Sequence, residues 1–341
     1  MGVINTEIMD PASLTEFMRT LYVAKEEKDG VLSAFLPNFD IDGATIDVTV
    51  EGNRPIEPAK YRAFDAEPRF GADVPMVQRT IRLLPLSEQG KFGELDAING
   101  GPSSSIEAKT RWAQRRASRI VNSYFEALEA IRARLLLTGN LTITQEDLKI
   151  DESFGRSAEH NVTAATLWNA GGDILDDIAL WVETYKKNNF GAEPGTIVAS
   201  GRVVRQIAKN GAFATQMVNG GSRAAGIEDI NDILLGQGLP TLTIFDRANA
   251  AGRLIPDDRL LLLPAPGEKF STEASELGGT PWGTTATSQT PSWGISDADA
   301  PGLVAALFDN DKPPVGLEVV ADAIALPVLA NANRSLVAKV F

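Results

Sequence analysis

The chain holds one histidine, His160, and no cysteine. A lone imidazole cannot join other histidines in a triad, a dyad or a metal site. Without thiols there is no thiolate ligand and no disulfide. His160 lies in a polar turn and reads as a structural or solvated residue. Three groups of acids could hold a cation: Asp173, Asp176 and Asp177; Glu228, Asp229 and Asp232; and Asp257 with Asp258. The first two stand where helices open, and carboxylates there satisfy free N–H groups and the helix dipole. The third follows Pro256 and reads as a turn. Gly236-Gln237-Gly238 lacks the rest of a dinucleotide fingerprint, and no phosphate loop ending in Gly-Lys-Ser/Thr occurs. No nucleophile is assembled with a base. The expectation is a chain that is not an enzyme, with no catalytic residue, no cofactor and no metal.

The side chains left with distinctive chemistry are cations. Lys109, Arg111, Arg115, Arg116 and Arg119 follow one another with no acid between them, and Trp112 falls among them. Arg54, Lys60, Arg62 and Arg69 lie in a proline-rich stretch, set against Glu51, Glu57, Asp65 and Glu67. The chain as a whole is acidic, with a net charge of −13 over 341 residues. That balance favours solubility and argues against general affinity for nucleic acid or anionic lipid. Gly221 to Ala330 alone holds 15 acids and 6 bases.

The elements that carry these cations follow from periodicity. Ser104-Ser105-Ile106-Glu107 makes a capping box. From it an apolar stripe runs through Ala113, Ala117, Ile120, Val121, Tyr124, Leu128, Ile131 and Leu135 to Gly139. The spacing predicts one helix of roughly 50 Å at 1.5 Å per residue, with Arg111, Arg115 and Arg119 opposite the stripe. Trp112 is covered by a neighbouring loop or anchors another subunit. So long a one-sided helix suits a flat subunit that tiles a surface.

Before it, Asp10-Pro11 opens a short helix with Leu14, Phe17, Met18, Leu21 and Tyr22 on one face. This first segment reads as an arm, held by the body or by a neighbouring chain. Thr45 to Val50 and Arg79 to Leu84 alternate as strands. With Gly52 to Pro75 between them they form a ribbon with a long tip, marginal alone. Phe17, Leu21, Phe35, Leu36, Ile81 and Leu83 are expected to find cover only between subunits.

After the long helix comes a hairpin, Leu141–Ile143 with Leu148–Ile150. An α/β module of about a hundred residues starts near Asp173. Phe270 to Pro301 is poor in apolar residues and reads as a loop or extended edge. The end, Val315 to Phe341, is strand-like. No stretch approaches the ~18 apolar residues of a membrane span. Met1 to Asp10 has neither the basic nor the apolar region of a signal peptide, so folding in a cytoplasm is expected.

The order of arm, ribbon, long helix, hairpin, α/β module and closing strand resembles the tailed-phage major capsid proteins of the Hong Kong-97 fold. More narrowly it looks like the lambda-type E family. Three segments carry the likeness: Thr80-Ile81-Arg82-Leu83-Leu84-Pro85; Gly155-Arg156-Ser157 with Glu159, Asn161 and Thr163; and Ala323-Ile324-Ala325-Leu326-Pro327-Val328-Leu329-Ala330 with the last short strand.

The resemblance implies an α+β fold of named parts. These are an N-arm (1–43), an E-loop lying over the adjacent subunit (44–92), a peripheral domain with the spine helix (93–165 and 265–328) and an axial domain (166–264 and 329–341). It implies a structural function, with pentamers and hexamers closing into an icosahedral shell around double-stranded DNA in the virion. Scaffold, portal and decoration proteins are the accessory partners it admits, and no membrane. In this setting Arg54, Lys60, Arg62 and Arg69 are expected to meet acidic neighbours. Arg111, Arg115 and Arg119 are expected to touch either packaged phosphates, weakly and without sequence preference, or protein. An isopeptide cross-link is not expected. The alternatives are an encapsulin-like compartment and a soluble α/β enzyme or small-molecule-binding protein.

Overall fold

The long apolar stripe forms a single helix in the computed structural model, which describes residues 3–51, 61–62, 64, 76–93, 98, 106–145, 148–215, 225–250, 252–310 and 315–341. In chain order the elements used below are β1 (Val3–Ile4), α1 (Pro11–Asp29), β2 (Asn38–Asp40), β3 (Thr45–Glu51), β4 (Met76–Arg82), β5 (Pro85–Phe92) and the long helix α2 (Ile106–Thr138). The hairpin β6 (Asn140–Gln145) and β7 (Leu148–Ser153) follows, then β8 (Asn161–Thr163), α3 (Ile174–Asn188), β9 (Thr196–Ala199), α4 (Gly201–Lys209), α5 (Gly211–Thr215), α6 (Ile227–Gly236) and β10 (Thr241–Ile244). After the two-residue strands β11 (Ala248–Asn249) and β12 (Gly252–Arg253) come β13 (Arg259–Leu263), β14 (Gly278–Gly283), β15 (Val304–Asn310), β16 (Gly316–Ala325), β17 (Val328–Leu329) and β18 (Leu336–Lys339).

Helix α2 spans 33 residues. It ends at Gly139, which takes a left-handed φ of 69° and donates its N–H to Leu135 O at 2.8 Å. A glycine in this place closes the last turn without a Cβ penalty. Arg156, from the loop after β7, donates to the carbonyls of Leu136 and Leu137, and its bond to Leu136 is 2.7 Å long. A cation on the last free carbonyls also complements the negative end of the helix dipole. The proposed capping box at Ser104 and Ser105 lies outside the described residues.

Two sheets flank the helix. In the seven-stranded sheet the order is β1-β15-β16-β14-β17, with β2 on β14 and β5 on β16. Strand β5 thus leaves the ribbon and pairs along eight residues with β16, from Leu317↔Phe92 to Ile324↔Pro85. The five-stranded sheet has the order β10-β9-β13-β18-β8. Its side chains alternate between two apolar layers, as the pleat requires. Ile197, Ala199, Leu260, Leu262, Leu336 and Ala338 face α3, α4 and α6. Val198, Leu261, Leu263 and Val337 face the end of α2 and the β6–β7 hairpin.

Two expectations are corrected. The arm's apolar residues do not wait for another subunit. Leu14, Met18 and Tyr22 are buried against α2 and the seven-stranded sheet in one cluster, and Phe17 and Leu21 pack beside them. Phe35, Leu36 and Leu83 are 4%, 0% and 2% exposed, in a second cluster that Ile81 joins. Each such side chain contributes ~1.5–3 kcal/mol on burial, which together exceeds what an unsupported arm could offset.

Phe270 to Pro301 is not merely a loop or edge, because β14 inside it is fully buried and lies mid-sheet. Its sequence, Gly-Gly-Thr-Pro-Trp-Gly, lacks the usual apolar alternation because it packs by close backbone approach. A Cβ at Gly278 would lie 2.2 Å from Val328 O, and one at Gly279 would lie 2.7 Å from the Phe39 ring. Pro281 falls where β14 changes partner from β17 to β16, so its missing N–H breaks no regular ladder.

Helix α1, shorter than α2, packs along it with Leu14, Met18 and Tyr22 in the shared core.

Candidate assembly surfaces

A buried ion cluster fastens the arm. Arg132 projects from the last third of α2 and is fully buried, as are Glu26 of α1 and Glu129 one turn back on α2. Arg132 Nη1 pairs with Glu26 Oε1 and, at 3.2 Å, with Glu129 Oε2. Its Nη2 donates to Asn38 Oδ1 at 2.7 Å, and its Nε to Thr280 Oγ1 at 3.1 Å. Asn38 Oδ1 also accepts from Trp282 Nε1 at 3.0 Å. Glu129 Oε1 accepts from the N–H groups of Val31 and Leu32, which open the turn after α1. Four elements (α1, α2, β2 and β14) therefore converge on one guanidinium. A buried charge is costly unless it is paired and hydrogen-bonded; within this cluster Glu26 Oε2 has no hydrogen-bond partner among the described residues.

Electrostatics agree with that account. Burial opposes the Arg132 charge, but Glu26, Tyr22 and Glu129 hold the guanidinium above its ordinary range. Burial raises the Glu129 carboxyl, against the pull of Arg132. Periodicity could not reveal the cluster, because Glu26 and Arg132 read as solvated positions. The one signal was their place on apolar faces: Tyr22 lies four residues before Glu26, and Leu128 four before Arg132.

The basic stripe of α2 is partitioned. Arg111, Arg115 and Arg119 are exposed, and none forms an ion pair among the described residues. Arg116 is used within the chain: it crosses β5 over Gly90, where any Cβ would overlap it, and donates to Gln89 O at 3.1 Å. Trp112 is half-buried, edge to face with Phe92 at 5.3 Å, so a neighbouring strand covers it.

The ribbon is an antiparallel pair, registered from Thr45↔Arg82 to Glu51↔Met76. Its base is tied to the hairpin by Arg79, which donates to Ser153 O. Of its four cations, Arg62 is exposed, while Arg54, Lys60 and Arg69 lie outside the described residues. Tyr61 and Phe64 stand 106% and 100% exposed.

The sites considered for catalysis resolve into structure. His160 is fully buried, with Nδ1 3.1 Å from Ser335 O. Asp173 caps α3, accepting from Asp176 N at 3.3 Å, and Asp177 accepts from Trp168 Nε1 at 2.8 Å. Asp229 accepts from Gly226 N at 2.8 Å, at the start of α6. Among the described residues there is no group of three potential ligands able to hold a metal ion, and no helix long and apolar enough to cross a membrane.

Comparison with known proteins decides what these surfaces belong to. The family model described as phage major capsid protein E matches residues 41–340. The chain belongs to the phage major capsid protein E family. As a member, it is a major capsid protein that forms the shell of a phage virion. Its α+β fold is shared by solved structures over nearly the whole length. One is a phage-related protein from Bordetella bronchiseptica RB50, 12% identical, with a TM-score of 0.58, covering 99% of this chain and 97% of that one. Another is a crystal structure assigned as a prophage capsid protein (E. coli CFT073), 14% identical, with a TM-score of 0.58 and both chains covered in full. No curated protein sequence matches. Membership in the capsid protein family favours a shell-forming structural protein over the soluble α/β enzyme considered above.

Proposed function

We propose that this capsid protein assembles through pentamers and hexamers into an icosahedral head that encloses double-stranded DNA, and that it does so in the host bacterial cytoplasm. Its role is structural and not catalytic. In this reading residues 1–43 are the N-arm and 44–92 the E-loop, which lies on the adjacent subunit. Residues 93–165 and 265–328 form the peripheral domain around the spine helix. Residues 166–264 and 329–341 form the axial domain, whose loops meet at the symmetry axes. Scaffold, portal and decoration proteins are its accessory partners.

The observation that carries the reading is the ribbon. It is a two-stranded projection, too small to be stable by itself, and Tyr61 and Phe64, which lie between its strands in sequence, are fully exposed among the described residues. A shell supplies that cover by repetition. Arg54, Lys60, Arg62 and Arg69 then meet acidic surface of a neighbour. Exposed pairs contribute only ~0–1 kcal/mol each, but the contact recurs at every interface.

Electron microscopy of the expressed protein tests the assembly, with closed particles of uniform diameter expected. A monodisperse monomer at high concentration in physiological salt would overturn it. Replacing the four ribbon cations with Ala is expected to leave soluble capsomers that close poorly, and an unchanged particle yield would remove the ribbon from the account.

A further inference from the structure

Between α1, the end of β2 and the chain entering β15 lies an open cleft of about 240 Å³. Four aromatic side chains line it. Tyr22, Phe39 and Trp282 are 5%, 7% and 5% exposed, and Phe270 is half-buried. Tyr22 and Trp282 meet edge to face, with centroids 5.0 Å apart and planes at 75°, so their rings form a corner. The Trp282 N–H is spent inside the fold, on Asn38 Oδ1 at 3.0 Å, and the Tyr22 hydroxyl is sealed from solvent. Both rings therefore offer a ligand carbon surface.

Two charged side chains edge the cleft, Arg19 and Asp40. Arg19 is already committed. Its Nε donates to Leu303 O at 2.8 Å, and its Nη2 to Asp299 O at 2.7 Å and Pro301 O at 2.8 Å. Lys269, next to Phe270 in the chain, is committed too, donating to Glu26 O at 3.0 Å and Glu27 O at 2.6 Å. Asp40 is exposed at the rim and forms no ion pair among the described residues. The protein around it raises its carboxyl above the ordinary value by burial, and Arg19 opposes this only in part. The cations nearby thus spend their donors on main-chain carbonyls, and the carboxylate is the open charge.

An aromatic face attracts a cation within about 6 Å through its quadrupole, and a carboxylate supplies the counter-charge. A head group with several N–H donors would find few acceptors, because Arg19 holds the carbonyls of Asp299, Pro301 and Leu303. A methylated ammonium needs none. We propose that this cleft binds a small quaternary ammonium cation, with Asp40 as counter-ion and the rings of Tyr22, Phe39, Phe270 and Trp282 as walls. The space is larger than the roughly 150 Å³ that accepts benzene, so a trimethylated head with a short chain fits. The site lies within one subunit and does not depend on the proposed shell.

Saturation-transfer NMR on the wild-type protein tests it, with choline as the probe. Transfer to the choline methyl protons is expected. The neutral alcohol in which carbon replaces the choline nitrogen has the same shape and is expected to bind about tenfold more weakly. Asp40→Asn keeps the shape at an exposed position. It is expected to weaken choline about tenfold and leave the neutral alcohol unchanged. Phe270→Leu is expected to weaken both. No transfer to choline in the wild type overturns the site. Equal affinity for choline and the alcohol overturns it without any variant, because the cleft would then be only an apolar surface. Unchanged choline binding by Asp40→Asn or by Phe270→Leu overturns it as well.

Discussion

Arg132 and Glu26 stand 106 residues apart in the chain and form an ion pair from which water is excluded on both sides. The pair joins the arm helix to the spine helix, so the arm is part of the folded subunit before any neighbour arrives. Glu129 shares the same guanidinium nitrogen, which leaves two carboxylates dependent on one cation.

Removing that cation should therefore cost more than removing either acid. Arg132→Met is expected to destabilise the subunit by ~3–5 kcal/mol, the range for breaking one side of a buried pair. The loss should appear first as faster amide hydrogen exchange in residues 11–29. Glu26→Gln keeps a hydrogen-bonding group in place and should cost less. Equal exchange rates in the arm of wild type and Arg132→Met would show that apolar packing alone holds α1.

Two buried groups give opposite responses to pH. Burial holds His160 below its usual value near 6.5, so the folded state keeps it neutral. Its contribution is full above the unfolded pKa and is lost as pH falls through the lower folded value. Glu129 is raised by burial, so its contribution is full below the ordinary carboxylate range and is lost as pH rises through the raised value. Thermal unfolding of capsomers against pH separates them. His160→Gln should flatten the slope on the acid side of 6.5, and Glu129→Gln the slope above the carboxylate range.

Strand β14 should tolerate no side chain at its first residue. Gly278 has a φ of 151°, and a Cβ there would meet backbone, which cannot swing aside. Gly278→Ala is expected to destabilise by about 1–3 kcal/mol through overpacking and strain. A denaturation midpoint equal to wild type would mean that β17 shifts to make room.

The exposed arginines of the spine helix allow a cleaner separation of roles. Arg111, Arg115 and Arg119 changed together to Gln should leave the subunit fold intact, since none has a charged partner among the described residues. Yields of empty shells and of DNA-filled heads are then counted apart. Fewer empty shells would assign the stripe to protein contact. Normal shells that fill or retain DNA poorly would assign it to phosphate, with a weakened salt dependence of retention. No change in either would mark the stripe as a solvated face.

The sequence by itself determined the parts whose signal is local. The stripe from Ala113 to Leu135 made α2 one helix, Gly139 ended it, and alternation marked β3 and β4. Aspartates at helix starts were legible as caps, because a cap needs only its own first turn. The order of these parts sufficed for the fold, since order survives where identity has fallen to 12–14%. Tertiary structure alone decided the rest. Glu26, Glu129 and Arg132 look solvated in sequence, because a charge announces burial only through partners distant along the chain. Strand β14 has no apolar pattern, because glycine packs by letting backbone approach backbone, and hydropathy does not measure distance. Phe35, Leu36 and Leu83 seemed to need a second subunit only because the residues that bury them, such as Leu135, Leu136 and Leu326, come from far along the same chain. Periodicity shows which face of an element is apolar, and only folding shows what that face meets.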